Sequence, residues 1–579
     1  MALRRGVGLV AVLLLIAVLV SAALVLLVSS WAGRPPSLEP GSTLVVRVRG
    51  DLAEVEPGGV FGPLLPSRPT VRAIVEAINR ARDDERIVAL LVMPTGAPRL
   101  WGKTQEVRDA IAAFRTSGKP AVAYLEYGGD REYYLAAACD RIVLMPGSPL
   151  DLTGVASYEL FLRGTFDRIG AYPDLAHVGD YKTATNTFTE RGFTPAHREM
   201  AESLNRDAFD QLIEGIAGGR GLSAADARAL VDRGPFLPEQ ALEAGLVDRL
   251  AYEDQLDDVA GIDGDTTKWI DLDDYARVRQ PRQRDASRIA VIYVVGTLTT
   301  GRTIDSAEAQ VAGSETLVEY VRKARADERV RAVVLRVDSP GGSAIASEVV
   351  WRELMLTRGT KPVIVSMSDM AASGGYYVAM PAHAIVAQPG TLTGSIGVLG
   401  GKVVTDGTLG KLGVTVDGVE TGRHAGMHSP TRRYRPAERA KVEEQLQATY
   451  EQFIEKVAEA RRSTPEAVDA IAQGRVWTGR QARDIGLVDE LGGLDRALTL
   501  ARQRARIPRD ASIELLVYPP RRTLYQLVAN PFGSGGARGA LLSLLLTPDE
   551  RRALAMFSAP FDLFQPGEPL ALTPYVFVW

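Results

Sequence analysis

The stretch "QPGTLTGSIGVLGG", residues 388 to 401, sets one serine, Ser395, in a tight glycine-rich run. A serine hydroxyl becomes a nucleophile only beside a base, so the first question is which side chain could serve it. By itself the stretch reads equally well as a turn feeding a strand. Histidine is the usual partner, and the chain has five: His177, His197, His383, His424 and His428. None stands in a triad motif, and there is no G-x-S-x-G elbow. His424 and His428 are four apart, but "GRHAGMHSP" is a glycine- and proline-broken loop rather than a helix face. With no H-E-x-x-H and no clustered carboxylates, no zinc site is expected. Lysine is more informative, because only ten of the 67 basic residues are lysines. Arginine stays protonated at any accessible pH, whereas a desolvated lysine can accept a proton. Lys182, in "HVGDYKTATNTFTE", reads by its local sequence alone as a solvated loop lysine.

The chain is written twice, and that changes the weight of both residues. "VEAINRARDDERIVALLV" (75 to 92) matches "VEYVRKARADERVRAVVL" (318 to 335), an offset of about 243 residues. "LTGVASYEL" (152 to 160) matches "LTGSIGVLG" (392 to 400), and "GLVDRL" matches "GLVDEL". The alignment sets Ser395 opposite Val155 and Lys182 opposite Ala425. Each copy therefore keeps one member of a Ser/Lys pair, as expected if a duplicated unit lost the redundant partner in each half. A working pair would straddle the junction of the halves. Ser373, in "AASGGYY", is the rival nucleophile; it is read as a helix N-cap or close-packing residue, its counterpart Asp130 being also a good cap. Ser343, beside "PGG", is read as a cap too.

The elements that must position these residues alternate. In the second half "RIAVIYVVG", "VRAVVLRVD", "KPVIVSMS" and "AIVAQPG" read as strands, and "SETLVEYVRKARAD" and "SAIASEVVWRELMLTRG" as helices. This predicts βαβ units and a largely parallel sheet in each of two α/β domains. The polar "VRQPRQRDASR" lies between them. Hydrophobic residues make up 46% and charged residues 24% of the chain, as in a globular protein, and the net charge of -4 argues against a nucleic-acid partner. The single cysteine, Cys139, cannot form an intramolecular disulfide and reads as buried packing. Arg4 and Arg5 precede an uncharged apolar run up to Trp31, longer than the roughly 20 residues that cross a bilayer. That pattern predicts a signal anchor, with the chain from about residue 35 onward on the far side of the membrane.

"RVDSPGGSAIASE", "MAASGGYYVAM" and "TLTGSIGVLGG", with "GDYKTATNTFT" upstream, resemble the protease IV, or signal peptide peptidase A, family in its long two-domain bacterial form. The resemblance spans roughly residues 40 to 505. It implies an α/β fold of two tandem Clp/crotonase-like spiral domains of ββα units, preceded by one transmembrane helix. The corresponding boundaries are 1–34 for the anchor, 40–278 and 288–505 for the domains, 279–287 for a linker, and 506–579 for an extension. It implies Ser395 as nucleophile, Lys182 as general base, and no cofactor. An oxyanion would be held by the amide of Gly341 or Gly342 in the "DSPGG" turn, with the Ser395 amide as second donor. The implied partners are cleaved signal peptides and other apolar peptides, the bacterial inner membrane, with the domains on its periplasmic side, and further copies of the chain in a tetramer. The alternatives are a crotonase-like acyl-CoA enzyme, which needs no such pair, and an anchored scaffold that has lost catalysis.

Overall fold

The structure is a computed structural model that describes residues 38–50, 52–55, 69–96, 100–258, 268–278, 286–305, 310–508, 511–520, 568–573 and 577–578. The expected anchor, 1–34, lies outside these residues. Among the described residues no helix is long and apolar enough to cross a membrane.

The first half folds around a six-stranded sheet. Its elements are β1 (Ser42–Arg49), α1 (Val71–Asp83), β2 (Ile87–Thr95), α2 (Trp101–Arg115), β3 (Ala121–Leu125), α3 (Asp130–Ala136) and β4 (Arg141–Leu144). β5 (Tyr172–Val178), α4 (Pro195–Arg220), β6 (Arg249–Leu250) and β7 (Trp269–Asp271) complete it. The sheet order is β7-β1-β2-β3-β4-β6, every pairing parallel. The apolar positions of α1 explain its docking: Val71, Ile74, Val75, Ile78 and Ala81 recur at helical spacing and are buried, and Thr70 caps the helix through Ala73 N. They meet Leu44, Leu90 and Val92 of the sheet. Near-continuous apolar strands such as β2 are what a parallel sheet covered on both faces requires.

The second half repeats the plan and adds to it. In order come β8 (Ser287–Val295), β9 (Thr297–Thr299), β10 (Ile304–Asp305), β11 (Gln310–Gly313), α5 (Ser314–Ala326), β12 (Val330–Ser339), β13 (Gly341–Ser343), α6 (Ala344–Arg358) and β14 (Val363–Ala372). They are followed by α7 (Gly374–Ala379), β15 (Ala384–Ala387), β16 (Leu392–Gly394), β17 (Val398–Val404), α8 (Pro436–Arg461), β18 (Val476–Thr478), β19 (Glu490–Leu491), α9 (Leu494–Arg504), β20 (Ile513–Tyr518) and β21 (Leu570–Leu572). The eight-stranded sheet runs β18-β16-β14-β12-β8-β20, with β15 and β19 branching from β14. Leu317, Val321, Val350 and Leu354 of α5 and α6 cover one face, and Leu494, Ala497 and Leu500 of α9 the other. The predicted strands and helices of this half are all present.

A third sheet was not foreseen. It runs β10-β11-β9-β13-β21-β17-β5 and is built from both halves. β5 of the first half pairs antiparallel with β17 of the second along its whole length, from Val178 opposite Val398 to Tyr172 opposite Val404. Two strands come from residues that the sequence sets in a terminal extension: β20 lies parallel on β8, and β21 lies between β13 and β17. "IELLVY" is an apolar run able to cover an open sheet edge, which periodicity within one half cannot reveal. β8 likewise begins at Ser287, inside the expected linker.

The shared sheet depends on Gly401, whose φ of 141° and close approach to β5 leave no space for a side chain: a Cβ would lie 2.4 Å from Asp174 O. Gly401→Val is expected to destabilise the chain by roughly 2 kcal/mol or more, read as a lower urea midpoint, with loss of the joint between the halves.

Candidate active site at the junction of the halves

Ser395 follows β16 at a point where two consecutive residues have positive φ, 76° at Gly394 and 50° at Ser395. A non-glycine residue held there stores strain, and surrounding contacts must hold it. The Ser395 amide donates to Arg475 O at 2.7 Å, and a Cβ on Gly394 would lie 2.9 Å from the Trp477 ring. The serine is fully buried.

Lys182 arrives from the other half. After β5 the chain turns at Gly179, packs against Gln473, and enters a short 3-10 turn at Thr183–Thr185. The Tyr181 amide donates to Gln473 O at 2.9 Å, so the second half grips this turn directly. Two glycines make the socket. A Cβ on Gly474 would lie 2.5 Å from Lys182 Cα, and one on Gly397 would lie 3.2 Å from Lys182 Cδ. The second glycine of "TGSIG" is therefore where the lysine stem passes.

The lysine is wholly buried rather than a solvated loop residue. Its Nζ donates to Ser373 Oγ at 2.7 Å, to Ser395 O at 2.8 Å and to Ser395 Oγ at 3.1 Å. These contacts use all three donors of an ammonium. Burial pushes the lysine well below its ordinary range, and among the described residues no carboxylate pairs with it. A neutral amine there donates two hydrogen bonds and keeps a lone pair for a hydroxyl proton.

Ser373 is not the helix cap that its sequence suggests. It sits at the N-cap position of α7 with φ 55° and ψ -111°, and its hydroxyl makes no cap bond. Instead it accepts from Lys182 and reaches Gly397 O at 3.4 Å, while its amide donates to Gly394 O at 2.8 Å. Lys182 has taken the oxygen that a cap would have used. Its counterpart Asp130 also fails as a cap, accepting from the amides of Thr153 and Gly154. Ser343 does cap α6, through Ala346 N at 3.0 Å.

Gly341 and Gly342 have φ of 100° and 149°, and neither has room for a side chain. Gly341 N donates to Ser339 Oγ at 3.2 Å. Gly342 lies opposite Ala571 of β21 in an antiparallel register flanked by Thr573 N to Pro340 O at 3.0 Å and Ala344 N to Pro569 O at 3.1 Å. Antiparallel alternation makes Gly342 and Ala571 a hydrogen-bonded pair. The Ala571 oxygen is wedged between two glycines, 2.0 Å from where a Cβ on Gly341 would stand and 3.2 Å from one on Gly374. The Ser395 amide is not available as an oxyanion donor, because Arg475 O already takes it.

Among the described residues no histidine hydrogen-bonds to Ser395 or Ser373. His197 is buried with Nε2 2.8 Å from Glu159, and His383 accepts from Val363 N at 3.1 Å. An apolar cavity opens beside the serine turn, lined by Leu100, Trp101, Leu204, Leu392 and Val476 from both halves. Cys139 is buried, and burial holds its thiol up, at about 12.

The model of peptidase family S49 matches residues 113–263 and 356–508. The chain is 33% identical over 488 residues to the chloroplastic serine protease SPPA of Arabidopsis thaliana, covering 82% of this chain and 71% of that protein. It is 35% identical over 450 residues to protease 4 of Salmonella typhi, covering 75% and 72% respectively. A protease 4 of Haemophilus influenzae is 30% identical over 475 residues, covering 78% and 76%.

The buried lysine has a thermodynamic signature. Its folded pKa lies below the unfolded value of about 10.4, so between the two the unfolded chain binds more protons and stability rises with pH. Replacing Lys182 by methionine removes this dependence. The urea midpoint of Lys182→Met should exceed that of the parent at acidic pH, and the gap should close as pH rises toward 10.4.

Proposed function

The chain belongs to peptidase family S49 and is a serine protease, and from that premise we propose that it cuts apolar peptides in extended form with Ser395 as nucleophile and Lys182 as general base. The observation that carries this reading is the 3.1 Å approach of a fully buried Lys182 Nζ to Ser395 Oγ, with no carboxylate among the described residues to keep the amine charged. Neutral Lys182 takes the Ser395 proton as Oγ attacks the peptide carbonyl carbon. The carbonyl electron pair moves onto oxygen, and the Lys182 ammonium then protonates the departing amine. The resulting ester is hydrolysed by water, which gives its proton to the same lysine before Ser395 recovers it. Ser373 orients Nζ from the opposite side.

For the oxyanion we assign the amides of Gly342 and Gly374, since Gly341 N is engaged by Ser339 and Ser395 N by Arg475. A peptide oxygen, that of Ala571, is already seated against Gly341 and Gly374. β21 thus has the form expected of a substrate: an extended segment added antiparallel to β13. Leu570 and Leu572 point into an apolar cluster with Phe166, Phe188 and Leu399, which supports apolar side chains at alternate substrate positions. The cavity beside Leu392 and Val476 supports the same preference.

The finer features follow the resemblance: each half as a Clp/crotonase-like spiral unit within 40–278 and 288–505, an N-terminal anchor in the bacterial inner membrane, catalytic halves on the periplasmic side, signal peptides as substrates, and a tetramer. The apolar run before Trp31, with Arg4 and Arg5 ahead of it, supports the anchor and its orientation.

Ser395→Ala and Lys182→Arg are each expected to abolish hydrolysis of a fluorogenic apolar peptide, and the double variant to be no worse. Ser373→Ala should lose about 10- to 100-fold yet still label with a fluorophosphonate at Ser395. Labelling that survives in Ser395→Ala but vanishes in Ser373→Ala would move the nucleophile to Ser373. The parent rate should rise with pH as Lys182 loses its proton.

A chain ending at residue 567 lacks β21 and should show a several-fold higher kcat/KM for the same peptide. An unchanged value would mean that β21 does not compete with substrate.

A further inference from the structure

Lys103 is another of the chain's few lysines, three residues into α2 of the first half, and it is buried. Its Nζ lies 2.7 Å from Asp338 and 3.2 Å from Asp369, and its amide donates to Asp369 Oδ1 at 2.8 Å. Both carboxylates belong to the second half. Asp338 sits on β12 immediately before Ser339, Pro340 and the two glycines of the turn. Asp369 sits on β14, four residues before Ser373.

The β12–β14 ladder is interrupted at this place. Val337 pairs with Met367, but Ser339 pairs with Ala371, so one residue of β12 faces three of β14. Such a bulge leaves backbone groups without ladder partners and re-aims the chain beyond it. Asp338 repairs one side by accepting from Met370 N at 3.2 Å. Lys103 closes the other by binding both carboxylates across the gap. The approach is tight: a Cβ on the preceding Gly102 would lie 2.6 Å from Ser368 O.

A second buried cation stands behind the first. Arg336 is fully buried and binds Glu54 through two bonds of 2.9 Å and Glu106 at 2.8 Å. Lys103 and Arg336 thus face four carboxylates, Glu54, Glu106, Asp338 and Asp369. Burial pushes the Asp338 carboxyl up, Lys103 pulling it back only in part. Burial opposes the Lys103 charge, but Asp338, Asp369 and Glu54 outweigh it and hold the ammonium above its ordinary range. Removing a partner from such a set strands charge in the interior, so its geometry is stiff.

We propose that Lys103 is a positioning residue for the active site: from the half without the nucleophile, it clamps Asp338 to Asp369 across the β12–β14 bulge and so fixes both the Gly341–Gly342 turn and the strand that delivers Ser373. This rests on the peptidase reading above. The site is then incomplete without the first half for two reasons: the base that Lys182 supplies and the clamp that aims the oxyanion donors.

The test uses the full chain and a fluorogenic apolar peptide. Lys103→Met should lower kcat by about 10-fold or more per active site titrated with a fluorophosphonate, with KM within about twofold, because the donors act on the transition state. Asp338→Asn, which keeps the lysine, should show the same split, and Lys103→Arg should recover much of the loss by bridging the two carboxylates. A kcat within twofold of the parent in Lys103→Met, or a rise in KM alone, overturns the proposal. If Lys103→Met does not fold, Asp338→Asn decides by the same criteria. A parent chain without peptidase activity, or Ser395→Ala retaining it, would instead defeat the peptidase reading.

Discussion

The burial of one amine among neutral partners is the constraint that the site depends on. Lys182 Nζ is surrounded by two serine hydroxyls and a carbonyl oxygen, with no opposing charge among the described residues. An ammonium in that setting is costly, so the amine gives up its proton more readily than a solvated lysine does. The same setting demands close walls. Gly397 and Gly474 provide them by omitting side chains, and the positive φ at Gly394, Ser395 and Gly474 folds the second half around the lysine stem.

That socket requires the two halves to hold registration, and several sets of contacts between them do so. The antiparallel pairing of β5 with β17 carries the lysine turn to the serine turn. Arg475 of the second half binds Glu199 of the first at 2.8 and 2.9 Å while its carbonyl takes the Ser395 amide. The Lys103 and Arg336 clusters join the N-terminal end of α2 to the ends of β12 and β14. Exposed ion pairs such as Arg475–Glu199 contribute little, but the buried Lys103 and Arg336 clusters are intolerant of displacement and therefore specify geometry.

Strain and exposure are distributed accordingly. Ser373 and Ser395 both hold positive φ, and both hydroxyls turn toward the same amine. The terminal strand β21 completes the shared sheet over the glycine turn and seats the Ala571 oxygen against Gly341 and Gly374. Main-chain bonds of this kind are sequence-independent, and only alternate side chains of the added strand are read.

What the sequence determined by itself was the inventory and the division. The strands and helices of each half follow from apolar periodicity, which is a local property. The choice of Ser395 and Lys182 followed from the repeat, because Val155 and Ala425 stand where their partners would be. The sequence did not disclose how the halves meet. Pairing of β5 with β17, capture of β20 and β21 as sheet strands, and the bulge bridged by Lys103 are contacts between residues hundreds of positions apart, and no local pattern encodes them. Ser373 shows the limit most directly. Its position at a helix start reads as a cap, and only the arrival of Lys182 from the other half, with its Nζ 2.7 Å from the hydroxyl, decided where that hydroxyl would turn.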